Sequence, residues 1–218
     1  MFSQTDVLGF AREAYEKGKA DFKVDISSIA LLVIDMQDEF VKPSWTPFWV
    51  PEATKQVPKI KKLIEHCRII KAPVIYTAFA DTHMGLDRPR SGSFMPNRYD
   101  KKLDNDNEWF KKGNIYDELK PLDNEVIIYK PSYGAFYDTP LDTILKNLNI
   151  ESVIICGTLT NFCCSTTARQ AYERGYKVIF GSDINSADDK KLHEVEVKVM
   201  RKGFAKVLNH LEIIVLLK

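Results

Sequence analysis

Six stretches of the chain are apolar almost without interruption and have the length of a strand. They are SIALLVID at 28–35, PVIYTAFA at 73–80, EVIIYK at 125–130, SVIICG at 152–157, KVIFGSD at 177–183 and EIIVLL at 212–217. Continuous rather than alternating apolarity marks strands covered on both faces, as in a parallel sheet. Between them apolar positions recur with a helical period, predicting helices over about 52–71, 140–147, 163–174 and 190–208. A further helix, over about 5–19, precedes the first strand. Alternation of this kind predicts an α/β fold: three α/β/α layers around a mainly parallel six-stranded sheet, Rossmann-like in layout, with right-handed crossovers.

The pattern breaks at 81–120, where Gly, Pro and polar residues predict a long connection over the carboxyl edge of the sheet. Connections of that length are often site walls or lids. No repeat, low-complexity tract or linker interrupts the rest, so residues 1–218 are expected to form one domain, with 1–27 as an N-terminal helical extension. The first twenty residues are charged throughout and lack the apolar stretch of a signal peptide. No run approaches the roughly 20 apolar residues of a membrane helix.

Composition narrows the partners. The chain is 44% hydrophobic and 28% charged with a formal net charge of +1, and it carries no basic arm. Neither nucleic acid nor an anionic membrane is an expected partner. Four cysteines without CxxC spacing predict a reduced, cytoplasmic protein, and no motif asks for a cofactor.

Ligands of an open parallel sheet bind outside the carboxyl ends of its strands. The first strand delivers Asp35 to that rim and the third delivers Lys130. The fourth, through the loop TLTNF, delivers Cys163 at the opening of a helix. Taken singly, Asp35 reads as a cap, Lys130 as a solvated charge and Cys163 as packing. Together they form the set a cysteine hydrolase needs: a thiol nucleophile, an acid to shuttle its proton and a cation to favour the thiolate. A helix N-terminus would favour the thiolate as well. Cys163 lies nearer the loop, whereas Cys164 shares a helical face with Thr167, Ala168 and Ala171; this favours Cys163 without deciding the matter.

Three segments carry a resemblance. ALLVIDMQDEF, IIYKPSYGAFYDTPLDTIL and IICGTLTNFCCSTTARQAYERGYKVIFGSD together resemble the isochorismatase-like cysteine hydrolase superfamily. Asp35 and Gln37 match its D-x-Q. Lys130, Ala135, Phe136, Thr139 and Leu141 match its lysine segment. Gly157, Thr160, Asn161, Cys163, Thr167, Ala168 and Arg169 match its nucleophile segment. The resemblance selects Cys163 as nucleophile and implies an Asp35–Lys130–Cys163 triad. It further implies a cis peptide at Thr158–Leu159 that turns the Leu159 N–H toward an oxyanion, beside that of Cys163. A homodimer or homotetramer is implied too.

The retained cysteine points within that superfamily to C–N hydrolysis of a small amide or ureido (carbamoyl) compound. The N-terminal helix and the long aromatic connection look more like the N-carbamoylsarcosine amidase and ureidoacrylate amidohydrolase branch than the nicotinamidase branch. Nicotinamidases carry a metal motif D-x-H followed by a second His. Asp81 and His83 match its first half, but the next histidine is His193, so no metal is expected. Gln37, Phe40, Trp45, Tyr133, Phe136 and Asn161 adjoin the triad segments and are candidate pocket walls. His193 reads as a capping or surface residue. The alternatives are a nicotinamidase-type deamidase, a binding protein that keeps the fold without turnover, and a redox protein using Cys163 and Cys164.

Overall fold

A computed structural model describes residues 2–89 and 109–218. Six parallel strands form one sheet in the order β3-β2-β1-β4-β5-β6: β1 (Ile29–Ile34), β2 (Val74–Phe79), β3 (Val126–Lys130), β4 (Ser152–Thr158), β5 (Lys177–Ser186) and β6 (Lys206–Leu208). Neighbouring strands run parallel throughout, with Ile29 to Ile34 facing Ser152 to Gly157 in the central pair. Every residue of β1, β2 and β4 is buried, as their unbroken apolarity requires. The order reverses between β1 and β4, so the crevice for a ligand lies above the carboxyl ends of those two strands.

Two apolar cores flank the sheet. On one face Val57, Ile60, Leu63 and Ile64 of α3 (Pro51–Ile69) join Ile213 of α7 (His210–Leu216) against Leu31, Val33 and Tyr76. On the other, α4 (Leu141–Asn147), α5 (Ser165–Glu173) and α6 (Lys190–Gly203) set Leu141, Leu145, Ala168, Ala171 and Met200 against Leu32, Ile34 and Ile155. A one-turn helix, α2 (Asp38–Val41), follows β1. The first helix, α1 (Gln4–Lys17), opens with a reciprocal Ser3–Asp6 capping box and buries none of its residues. Among the described residues no helix is long and apolar enough to cross a membrane.

The C-terminus differs from the sequence expectation. EIIVLL is helical, and the sixth strand is the short Lys206–Leu208 segment that the expected 190–208 helix had absorbed. The cause is local. Asn209 accepts hydrogen bonds from the Leu211 and Glu212 N–H groups, and its own N–H donates to the Glu212 carboxylate. This capping box starts a helix and overrides the strand propensity of Ile213, Ile214 and Val215. Of the connection at 81–120, residues 90–108 lie outside the described residues. Asp117–Leu119 forms one 3₁₀ turn within it, and an antiparallel bridge joins Ile115 to Gln37.

Candidate active site

The carboxyl end of β1 turns sharply. Asp35 has φ +47°, a left-handed conformation that costs most side chains about 1–2 kcal/mol and that aspartate tolerates better than most. Its backbone N–H still donates to the Thr77 carbonyl of β2 at 3.1 Å. Its Oδ1 accepts the Thr77 hydroxyl at 2.7 Å, and its Oδ2 lies 2.7 Å from Lys130 Nζ. Lys130 is fully buried at the end of β3 and donates a further hydrogen bond to the Ser132 carbonyl at 2.8 Å.

The third member arrives from β4. Gly157, with φ +131°, has to be glycine, because a Cβ there would stand 1.9 Å from the Ile34 carbonyl oxygen. The Thr158–Leu159 peptide is cis. After it Thr160–Cys164 forms a wide π-type turn that runs into α5. The Leu159 carbonyl accepts from both the Phe162 and Cys164 N–H groups at 3.1 Å, closing the turn tightly. The Thr167 hydroxyl donates to the Cys163 carbonyl at 2.7 Å and accepts from the Ala135 N–H at 3.0 Å. One side chain thus ties the turn that carries Cys163 to the loop after Lys130. Gly134 keeps that loop close, since a Cβ there would collide with the Gln170 side chain at 2.2 Å.

Cys163 therefore meets Asp35 and Lys130 in a dry space, in hydrogen-bond contact with both and only 1% exposed. Burial pushes its thiol pKa well up, the Asp35 carboxylate pushes the same way, and Lys130 opposes them. Burial alone would pull the Lys130 ammonium down, but the Asp35 carboxylate, with Cys163 beside it, outweighs burial and holds the pKa above its usual value. Burial and Asp35 thus act against the thiolate that a helix N-terminus beside a lysine favours. Cys164 is buried on the sheet side among Ala168, Ala171 and Ile155, a packing position.

The candidate pocket residues divide. Gln37 donates to Glu39 Oε2 at 2.8 Å and to the Phe79 carbonyl at 3.1 Å, and accepts the Phe79 N–H at 2.8 Å. With both amide donors used it fastens the turn after Asp35 to the end of β2, instead of facing a ligand. Phe40 packs on Phe110 in the core, and Phe136 lies between Tyr176 and the Arg174 guanidinium. Trp45 sits at the surface, with Lys42 Nζ 5.1 Å from its ring. Tyr133 packs at a tilt on Phe162, ring centroids 5.3 Å apart, next to Cys163. Asn161 holds a buried Oδ1 with no hydrogen-bond partner among the described residues. Tyr133 and Asn161 remain candidate walls.

Asp81 and His83 gather no third metal ligand among the described residues. His83 points into solvent with φ +45°, and its Nδ1 engages Asp87 at 2.9 Å. Among the described residues no three His, Cys, Asp or Glu side chains gather as metal ligands. One exposed histidine already paired with a carboxylate does not fit the nicotinamidase type of centre.

Several functional neighbours were missed from sequence. Glu39 is buried and accepts the Phe110 N–H at 2.7 Å, fixing the connection against the site. Arg88 lies half-buried with its Cζ 4.7 Å from the Phe79 ring centroid, on the same ring that Lys130 Nζ approaches to 5.7 Å. His193 touches the nucleophile turn. An S/T/N/D-x-x-E scan would have found the C-terminal helix; no single-residue signal marks Arg88 or His193.

Comparison with known proteins agrees with this geometry. The isochorismatase domain model matches residues 29–212, and the chain belongs to that family of hydrolases. Nicotinamidase 3 of Arabidopsis thaliana is 29% identical over 88% of both chains. A cysteine hydrolase structure from Pseudomonas syringae superposes with a TM-score of 0.80 at 27% identity, covering 92% of this chain and 97% of that one. N-carbamoylsarcosine amidase from Thermoplasma acidophilum superposes with a TM-score of 0.63 at 26% identity, covering 84% and 96%.

Proposed function

We propose that this protein is a cysteine hydrolase that cleaves the C–N bond of a small amide or ureido compound. The observation that carries this reading is the buried contact of the Cys163 thiol with the Asp35–Lys130 salt bridge. Burying two charges costs several kcal/mol per ion before pairing, and apolar packing would serve stability as well. Chemistry is the better account of keeping them.

Cys163 Sγ attacks the carbonyl carbon while its proton passes to Asp35, forming the C–S bond. The oxyanion develops beside the Leu159 and Cys163 N–H groups, where each donor is worth about 3 kcal/mol. Asp35 returns the proton to the departing nitrogen as the C–N bond breaks, leaving a thioester. Water then attacks that carbonyl, giving its proton to Asp35, and the acid leaves as the thiol reforms. Lys130 stays charged throughout and faces Asp35 at the start of each half-reaction.

Among such substrates, those carrying a carboxylate rank first. Arg88 offers a half-buried guanidinium beside the Phe79–Lys130 edge, and its Nε has no hydrogen-bond partner among the described residues. The similarity to nicotinamidase 3 keeps nicotinamide in the test set. The assay is ammonia release from carbamoyl amino acids, ureidoacrylate, maleamate and nicotinamide, run with wild type and Cys163→Ala. Turnover that survives in Cys163→Ala would sink the mechanism. Assembly into two or four copies is also proposed, because Val7, Leu8 and Phe10 of α1 are all more than half exposed; light scattering of the full chain tests it.

A further inference from the structure

We infer that His193, a residue of α6, is a positioning residue for the turn that carries the nucleophile, acting through the hydroxyl of Thr160. The inference rests on the cysteine-hydrolase reading.

The hydrogen bonds fix the ring. His193 Nε2 lies 3.2 Å from the Ser182 carbonyl oxygen, which can only accept, so Nε2 carries the proton. A neutral imidazole then presents a lone pair at Nδ1, and the Thr160 hydroxyl, 2.9 Å away, donates to it. The Ser182 carbonyl is available because β5 bulges at that place. The β4–β5 register passes from Ile155↔Phe180 to Gly157↔Asn185, and the Asn185 amide bridges the gap by donating to the Ile155 and Gly181 carbonyls. Gly181 permits the bulge, since a Cβ there would meet the Ile184 side chain at 2.1 Å.

The surroundings keep the ring neutral. Burial holds the His193 pKa below its usual value, outweighing the Ser182 carbonyl, Glu194 on its own helix and Glu52 at the start of α3, all of which favour the charged form. Asp183, the next residue of β5, is engaged by His210 at 2.7 Å and Lys59 at 3.1 Å.

Thr160 is fully buried, directly after the cis pair and three residues before Cys163. The Thr158 hydroxyl pins the turn to the Ser186 carbonyl at 3.3 Å, and Thr167 pins its far end through the Cys163 carbonyl. His193 supplies the middle anchor. Because the Leu159 carbonyl closes the turn onto Phe162 and Cys164, a shift of Thr160 displaces Leu159 and Cys163 together. A misplacement of about 1 Å in such a site costs about a hundredfold in rate.

Two isosteric halves of the imidazole separate the two bonds. His193→Asn places an acceptor where Nδ1 was and keeps the Thr160 bond. His193→Gln reaches Ser182 and leaves Thr160 without an acceptor. On the fastest substrate of the ammonia screen, His193→Gln and Thr160→Val are expected to lower kcat by about ten- to a hundredfold with little change in KM. His193→Asn and Thr160→Ser are expected to stay within about threefold of wild type. Equal losses in the Asn and Gln variants, a loss carried by KM, or losses that merely follow the drop in Tm would overturn the inference. Iodoacetamide alkylation of Cys163, which needs no substrate, gives a second readout, with the rate shifting in His193→Gln and Thr160→Val only. If wild type hydrolyses nothing, the hydrolase reading fails, while alkylation still decides the role of His193.

Discussion

The charge arrangement described above, in which burial and Asp35 favour the protonated Cys163 and Lys130 opposes them, predicts an unusual result for Asp35→Asn. Asparagine keeps the shape, accepts the Thr77 hydroxyl as Asp35 Oδ1 does, and tolerates the φ of +47°, so the fold should survive. The substitution removes the negative charge that, after burial, does most to keep the Cys163 proton in place. Lys130 is left facing the sulfur alone. Two unit charges about 4 Å apart interact by about 4 kcal/mol at an effective dielectric near 20, equivalent to about three pKa units. The thiolate population at neutral pH should therefore rise by up to about a thousandfold, and iodoacetamide alkylation of Cys163 should accelerate by at least about tenfold. Hydrolysis should move the other way, falling about 10²–10⁴-fold, because no group remains to carry the proton to the leaving nitrogen. The assay is pseudo-first-order alkylation at pH 7 by mass spectrometry, beside ammonia release on the same preparations. Slower or unchanged alkylation would refute the charge arrangement, and retained hydrolysis would refute the role given to Asp35.

Lys130→Met should lose hydrolysis and also about 3–5 kcal/mol of unfolding free energy, since the Asp35 carboxylate stays buried without its cation; urea unfolding at neutral pH checks it, and an unchanged midpoint counts against the buried pair. Gly157→Ala should give little soluble protein, because its Cβ would stand 1.9 Å from the Ile34 carbonyl oxygen at a φ of +131°; a wild-type Tm would contradict the close approach of β1 and β4. The buried Cys67 thiol is pushed up to about 12, so above its unfolded pKa of about 8.5 only the unfolded chain releases the proton. Stability contributed by the native thiol is thus lost as pH rises from about 8.5 toward 12, with a drop of about 2 kcal/mol between pH 8 and 10. Cys67→Val should remove about that much of the wild-type decline, measured by denaturant titrations at both values; an identical decline would mean that Cys67 is not dry.

Strands were legible where burial on both faces dominates. In β1, β2 and β4 apolar residues dominate, with only Thr77, Ser152 and Thr158 as small polar exceptions, and the observed bounds fall within about one residue of the apolar runs. The expectation failed at the chain end, where the run EIIVLL is as apolar as the strands. A strand and a buried helix segment of that length share the same composition, and the decision fell to one hydrogen-bonded cap at Asn209. The gathering of Asp35, Lys130 and Cys163 was legible for a different reason. Asp35 and Lys130 sit at the carboxyl ends of strands and Cys163 on the turn that follows one. The topology of a parallel sheet sends all such ends to one rim, so sequence position alone brings the three side chains together.

Protonation was not legible from the same positions. A helix start and a nearby lysine argue for a thiolate, yet both effects depend on distance and on water, which the sequence does not contain. Burial and the nearby Asp35 carboxylate push the Cys163 thiol up, and Lys130 opposes them. The pocket walls failed in a related way: Gln37, Phe40 and Phe136 adjoin the triad along the chain, but their hydrogen bonds and ring contacts are spent inside the fold. His193 shows the converse. It lies 30 residues beyond Cys163 in a helix with an ordinary polar face, and only the β5 bulge, which frees the Ser182 carbonyl to fix its tautomer, turns its other nitrogen toward Thr160. Roles set by a strand's end can be read from order along the chain. Roles set by a side chain's second hydrogen bond appear only when the partner is in place.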